Sequence, residues 1–363
     1  MAPAFSSSKQ AGAFALSLLV LLLLPIFIGG VISLPRDAAY TSLSYGYGPY
    51  HYIRRQIFEE TGDLDIAFIG SSRVLYGVDT LYVQKELSEK LGRKANVVTL
   101  GFSWAGFDAL YAITRDLLKN RRVHLIVFAE EWRGGEGPHH AAPHLFRFVE
   151  DRDELTELPF QMRAAYYFSS VIGAPRNLLN LFRADYSTLS PEGIAAWEKK
   201  GRAPDPATTL GGAYSSLGFD HLPSKFVDFV PPSEARPADV AIYSSETTSL
   251  FQFKGSELPP LQLHFARKFA SLAQEQGCTL VCLHLPEFNE IRLPVVQESQ
   301  DMAAVLRAPI SLVGIPPGRM FAGISDDDAQ KLFLDTNHFN TNGQRYFTRL
   351  ITPTLLRLYG KNE

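Results

Sequence analysis

Cysteine is scarce in this chain, with Cys278 and Cys282 the only two among 363 residues. That excludes a disulfide-stapled scaffold and a Cys-rich metal centre. The two cannot bridge each other, because four residues of extended strand separate them by ~13 Å. A basic excess is also missing. Lys and Arg number 35 against 38 Asp and Glu, a formal net charge of −3, so no surplus cation is there to neutralise a phosphate backbone. This argues against nucleic acid as a partner. There is no internal repeat and no low-complexity run, which sets repeat architectures aside. No Lys-Ser/Thr pair follows Gly101 and Gly106, so they do not make a phosphate loop. What is present is a 46% apolar and 20% charged composition, enough for a sizeable core and against wholesale disorder. The length allows one large domain or two small ones.

Residues 11–34 carry no charge, and 18–24 are almost pure Leu and Val. About 20 apolar residues cross a bilayer core as a helix. Pro25 and Gly29-Gly30 are tolerable in such a helix. The run is longer than the apolar part of a signal peptide, and Pro35-Arg36-Asp37-Ala38-Ala39 is a poor cleavage site. The sequence therefore predicts an uncleaved transmembrane signal anchor. Lys9 precedes the span, and Asp37 offsets Arg36 after it. The positive-inside rule then places residues 1–10 in the cytoplasm and the body outside the inner membrane, in the periplasm. In the juxtamembrane segment, 35–62, the run of Tyr40, Tyr45, Tyr47, Tyr50 and Tyr52 with Arg54 and Arg55 reads as an interfacial aromatic belt.

Beyond residue 63, short apolar runs alternate with helical periodicity. Strands are expected at 65–70, 96–100, 123–129 and 279–285. Helices are expected from an Asp79 cap to Gly92, and at 104–118, 261–276, 295–306 and 344–358. This order argues for an α/β fold, a parallel sheet sandwiched between helices. Between about 134 and 259 the alternation breaks into short helical pieces and many prolines. That stretch reads as a mostly irregular and helical insertion, lid-like over the sheet and forming part of an acceptor groove.

Functional groups in such sheets gather beyond the carboxyl ends of the strands. Those ends carry Gly70-Ser71-Ser72-Arg73, Gly101-Phe102-Ser103, Glu130-Glu131-Trp132-Arg133 and His284-Leu285-Pro286. Near the end of the chain stands Asp335-Thr336-Asn337-His338. A serine is a weak nucleophile until a base takes its proton and a carboxylate orients that base. Asp335 and His338 are three apart, which lets the carboxylate turn back to the imidazole. His284 reads either as a core histidine or as a residue lining the site. His139, His140 and His144 cluster in a Pro-rich loop, but nothing nearby completes a metal site. No metal and no cofactor is expected.

Gly70-Ser71-Ser72-Arg73 resembles the first block of the SGNH (GDSL) hydrolase superfamily, in the Gly-Ser-Ser form of membrane-anchored members. Leu100-Gly101-Phe102-Ser103-Trp104-Ala105-Gly106 is similar to the second block. Asp335-x-x-His338, with Gly343 five residues on, resembles the last. The resemblance covers roughly 63–129 and 261–358 and implies an SGNH (flavodoxin-like) sheet. It implies Ser72 as nucleophile, His338 as base and Asp335 as its orienter, with the backbone N–H groups of Ser72 and Gly101 as oxyanion donors. Two positions differ from the family pattern. Thr99 stands where the second block has Asn, and the third block's Asn is absent from the Glu130–Arg133 stretch. Either Trp132 or Arg133 stands in as donor, or that donor is missing. Arg73, Trp132, Arg133 and His284 are the residues expected to line the site.

Anchored members of this kind include alginate-acetylation proteins and the protein that helps D-alanylate teichoic acid. They work beside a multispanning membrane acyltransferase that delivers acyl groups. The resemblance thus implies a serine-dependent O-acyltransferase, most simply O-acetyl, acting on a cell-envelope or secreted polysaccharide as acceptor. An esterase or deacetylase of the same polymers, and a non-catalytic polymer-binding or assembly protein, are the alternatives.

Overall fold

The computed structural model describes residues 5–31, 36–41, 43, 49–129, 135–146, 151–164, 166–167, 229–232, 234–243, 258–292 and 302–360. Most of the expected insertion and the first part of the helix expected at 295–306 lie outside these residues.

Helix α1, Ser8–Val31, takes in residues 11–31 of the uncharged run and exposes Phe14, Leu16, Leu18, Leu19, Val20 and Leu21. Among the described residues, no helix is long and apolar enough to cross a membrane. Helices α2 (Arg36–Thr41) and α3 (Tyr50–Phe58) follow.

The body alternates as the apolar runs predict. Strand β1 (Leu64–Gly70) leads through α4 (Ser72–Gly77) and α5 (Thr80–Leu91) to β2 (Val97–Gly101). Helix α6 (Phe107–Asn120), β3 (Val123–Ala129) and α7 (Ala142–Leu145) come next. After β4 (Ala241–Tyr243) come α8 (Pro260–Glu275), β5 (Thr279–Leu283), α9 (Met302–Leu306) and β6 (Ser311–Gly314). Helices α10 (Pro317–Met320), α11 (Asp326–Gln330) and α12 (Thr341–Tyr359) close the chain. The strand order is β2-β1-β3-β5-β6-β4, with β4 antiparallel on its edge and the other pairings parallel. Without β4, this is the 2-1-3-4-5 order of a doubly wound sheet, whose switch point lies between β1 and β3.

The strands are buried on both faces. Ala67, Ile69, Ile126, Phe128, Leu280 and Cys282 enter one core with α3, α6 and α8. Ile66, Phe68, Leu125, Val127, Val281 and Leu283 enter the other with α5 and α12. This two-sided burial is why the strands read as continuous apolar runs. Asp79 caps α5 by accepting from Tyr82 N–H at 3.1 Å, and Gly92 ends it in the left-handed region at φ 63°.

Several expectations need correction. Tyr40, Tyr50 and Tyr52 do not form a surface belt: all three are core residues, because α2 and α3 fold back onto the body and their rings fill the space against it. Tyr45 and Tyr47 lie outside the described residues. Helix α6 starts at Phe107, not at 104, because Trp104 takes a left-handed conformation at φ 62° that a helix cannot continue. Strands β4 and β6 and helix α4 were not anticipated. Cys278 and Cys282 are buried free thiols.

Candidate active site

Strand β1 ends at Gly70, in register with Gly101 at the end of β2. The chain then turns at once into α4. Ser71 caps that helix, its hydroxyl accepting from Arg73 N–H at 3.3 Å, and Ser72 is the first helical residue. The Ser72 N–H therefore has no acceptor within its own helix. Helix α4 rests directly on Gly101, where a Cβ would lie 2.8 Å from the Leu75 Cβ. Phe102 N–H donates to Gly70 C=O at 2.9 Å, which leaves the Gly101 N–H outside the β1 ladder. Thr99 spends its hydroxyl on Thr80 at 2.6 Å, tying β2 to the start of α5.

The other half of the site is a tight loop before α12. Phe333 and Phe339 bridge its base, Leu334 N–H donates to His338 C=O at 2.8 Å, and Asn340 N–H donates to Leu332 C=O at 3.0 Å. Buried Asn340 locks the loop. Its side-chain oxygen accepts from the N–H groups of Asn342 (2.9 Å) and Gly343 (3.2 Å), and its amide donates to Lys331 C=O at 2.8 Å. Gly343 is required by this closeness, since a Cβ there would meet the Leu332 carbonyl oxygen at 2.1 Å. Asp335 and His338 are presented at the tip.

The two halves meet. Ser72 Oγ lies 2.8 Å from His338 Nε2, and His338 Nδ1 lies 2.8 Å from Asp335 Oδ2. An ionised carboxylate can only accept, so Nδ1 carries the proton and Nε2 offers its lone pair to the Ser72 hydroxyl. Asp335 is fit for that task. Burial works to raise its pKa, but the N–H groups of Asn337 (2.7 Å) and His338 (2.9 Å) and the His338 ring outweigh it and hold the carboxyl below its ordinary value. Tyr76 meets the His338 ring edge-on, with centroids 5.5 Å apart, and fixes its face.

One further loop, residues 284–290, touches both halves. On one side the Arg73 guanidinium donates to Leu285 C=O and lies 3.6 Å from Glu287. On the other, Phe288 N–H donates to Thr336 C=O at 3.0 Å, next to Asp335. The loop is stapled by His284 and Glu290, both buried, whose side chains meet at 3.0 Å. Burial raises the Glu290 pKa, but His284 and Arg73 more than reverse this and keep the carboxyl below its usual range.

The structure thus brings Ser72, His338 and Asp335 together, with Gly101 beside the turn. Arg73 flanks the site as a clamp, and His284 sits inside the loop that Arg73 grips. Trp132 and Arg133 lie outside the described residues. Sequence reasoning missed Tyr76, Asn340 and Glu290. Asn340 carried a signal, since an Asn at a helix start reads as a cap. The chain matches no family model, no curated protein and no solved structure.

Proposed function

We propose that the protein is a membrane-anchored, exported O-acyltransferase of SGNH type. In this reading it moves an acyl group, acetyl in the first instance, onto a sugar hydroxyl of a cell-envelope or secreted polysaccharide. The observation that carries the reading is the unbroken relay from Ser72 Oγ through His338 to Asp335, at 2.8 Å in both links.

His338 Nε2 takes the Ser72 hydroxyl proton as Oγ attacks the acyl carbonyl. The N–H groups of Ser72 and Gly101 stabilise the oxyanion. Collapse of the tetrahedral adduct breaks the bond to the donor, which leaves with the proton held by His338. The acyl-Ser72 ester is then attacked by a sugar hydroxyl, whose proton passes to His338 and on to Ser72 as the product leaves. Asp335 holds the ring in the required tautomer throughout and stays ionised. A third oxyanion donor is worth ~10²–10³ in rate where one exists; in this reading Trp132 or Arg133 stands in for it, or the site works without it. In this reading the uncharged run 11–34 supplies the anchor. A multispanning membrane acyltransferase is the proposed source of acyl groups.

The test is intact-mass analysis of the full-length protein in detergent, after incubation with 4-nitrophenyl acetate. The wild type should gain the mass of one acetyl group, and Ser72→Ala should not. No gain on either protein would overturn the reading. Rapid loss of the adduct in water, unaltered by added saccharide, would replace transfer by hydrolysis.

A further inference from the structure

Two loops at the carboxyl edge of the sheet are zipped together by buried polar groups. One is the exit of β2, residues 102–106; the other is the stretch 137–141. His139 lies between them, 5% exposed. Its Nδ1 accepts from Ala141 N–H at 3.1 Å, so its Nε2 carries the proton and donates to Ser103 C=O at 2.8 Å. Its own N–H donates to Asp108 at 2.8 Å. Gln262, reaching in from α8, accepts from Phe107 N–H at 2.7 Å and donates to Gly137 C=O at 3.3 Å. At Gly106 the loops are so close that a Cβ would stand 2.7 Å from the His139 Cβ.

The outer surface of this rigid base is unusual. Trp104 is 54% exposed, and it holds a left-handed backbone that a bulky side chain resists. Exposed His140 stands against it, ring centroids 5.1 Å apart. Neither exposure of an indole nor a left-handed Trp favours folding, yet the buried scaffold beneath enforces both. Outliers of this kind persist where the surroundings over-determine them, and they gather at ligand sites. Trp104 is three residues past Gly101, and the reach of the chain places it within roughly 20 Å of Ser72.

We infer that Trp104 and His140 form a binding subsite for a pyranose ring of the acceptor polysaccharide. The choice of a sugar over another ring rests on the acyl-transfer reading. The negative face of the indole suits the polarised C–H groups on one face of a pyranose. The imidazole beside it, edge-on to the indole, sets a polar edge next to the stacking face. Stacking here would hold the polymer a few rings from the acylated serine while leaving the reacting hydroxyl mobile.

Binding is measured on full-length Ser72→Ala protein in a sugar-free detergent, so that turnover plays no part. The probes are cellohexaose, chitohexaose and hexagalacturonate, followed by titration calorimetry. At least one should bind saturably, and Trp104→Ala should weaken it about tenfold, a loss of ~1.4 kcal/mol. Trp104→Phe, which keeps a ring, should stay within about threefold. Trp104→Gly is the decisive variant. It relieves the left-handed backbone, so Tm should rise by about 2 °C while affinity falls. A purely structural tryptophan would give the opposite stability change. The inference is overturned if no probe binds, if Trp104→Ala binds as well as its parent, or if Trp104→Gly is less stable. The acyl-serine reading fails separately, by absence of the acetyl adduct on Ser72.

Discussion

At the carboxyl edge of the sheet, Ser72, His338 and Asp335 stand in single file, and Asp335 keeps 47% of its side chain in solvent. On the flank of α6 the polar groups are handled differently. Arg36 and Arg115 share Asp116 and Asp151, Arg115 also reaches Glu154, and the hydroxyls of Tyr40 and Tyr111 close the cluster on Asp116 and Glu154. Asp116 has no exposed side-chain surface, and burial pushes its pKa up to about 6 even beside Arg36. The larger, drier network is the one away from Ser72. It joins α2, and with it the residues just after α1, to the body. A sparse, half-wet file of groups can pass a proton and admit a substrate. A dense buried cluster can do neither, and its role is to fix one element against another.

That contrast breaks if the two regions respond alike to mutation. Ser72→Ala should give the largest effect, a loss of at least ~10³ in the rate of acetyl-adduct formation. Its unfolding free energy should stay within ~0.5 kcal/mol of the wild type, since the side chain is near the surface. Asp116→Ala should do the reverse. It leaves the Tyr40 hydroxyl without this acceptor and takes from Arg36 and Arg115 one of the two carboxylates they share, and removing one partner of a buried pair costs ~3–5 kcal/mol. Tm should fall by about 10 °C in a thermal melt, while Ser72 in the surviving folded protein still labels. A shift below about 2 °C would deny the α6 cluster its fastening role.

The loops under Trp104 sharpen the comparison through pH. Burial lowers the His139 pKa to about 4, from an ordinary 6.5. The unfolded chain therefore takes up a proton below pH 6.5 that the folded chain refuses until about pH 4. Stability is full above that window and falls as pH drops through it. Asp108 opposes this, because burial raises its pKa to about 6 and the folded state gains its proton first. Comparing the wild type with His139→Gln isolates the histidine. The variant's disadvantage at pH 7 should shrink by ~2–3 kcal/mol at pH 4. Parallel stability curves for the two proteins would show that His139 is not held neutral.

What was legible in the sequence was what depends on near neighbours or on burial along an element. Strands β1, β2, β3 and β5 announce themselves as apolar runs because both faces are covered. Asp335 and His338 are legible because their contact spans three residues, and the Ser71-Ser72 pair because it follows a strand directly, with Ser72 singled out by the family resemblance. Strand β6 is only Ser311–Gly314, between Pro309 and Pro316, too short to show a period. The tyrosines after α1 were misread because aromatic composition does not say whether a membrane surface or a core receives the rings. Of the loop 284–290 only its start was legible, His284-Leu285-Pro286 as a strand end. Its grip on Arg73 joins residues 212 apart in sequence, and its staple falls at a spacing of six.

Arg73 offers the smallest expected effect and the finest test, because it stands on both sides of the contrast. It is charged and mostly buried, 16% exposed in its side chain, like the α6 cluster, yet it adjoins Ser72. If the loop 284–290 sets the spacing of the two halves, releasing Arg73 lets α4 drift from the Asp335–His338 loop. Misplacement by ~1 Å costs up to ~10² in rate, and Phe288, Tyr76 and Gly101 still restrain the parts. Arg73→Ala should therefore slow acetyl-adduct formation about tenfold at saturating ester. The ester concentration giving half-maximal rate should hardly move, as the guanidinium is engaged with Leu285 and Glu287. Arg73→Lys keeps the charge but loses the two-pronged grip, and should recover about threefold. A change confined to that concentration would make Arg73 a substrate contact. Full-rate acylation by Arg73→Ala would mean that Ser72 and His338 find each other without the bracket, and that their 2.8 Å approach is set by α4 and the Asn340 lock alone.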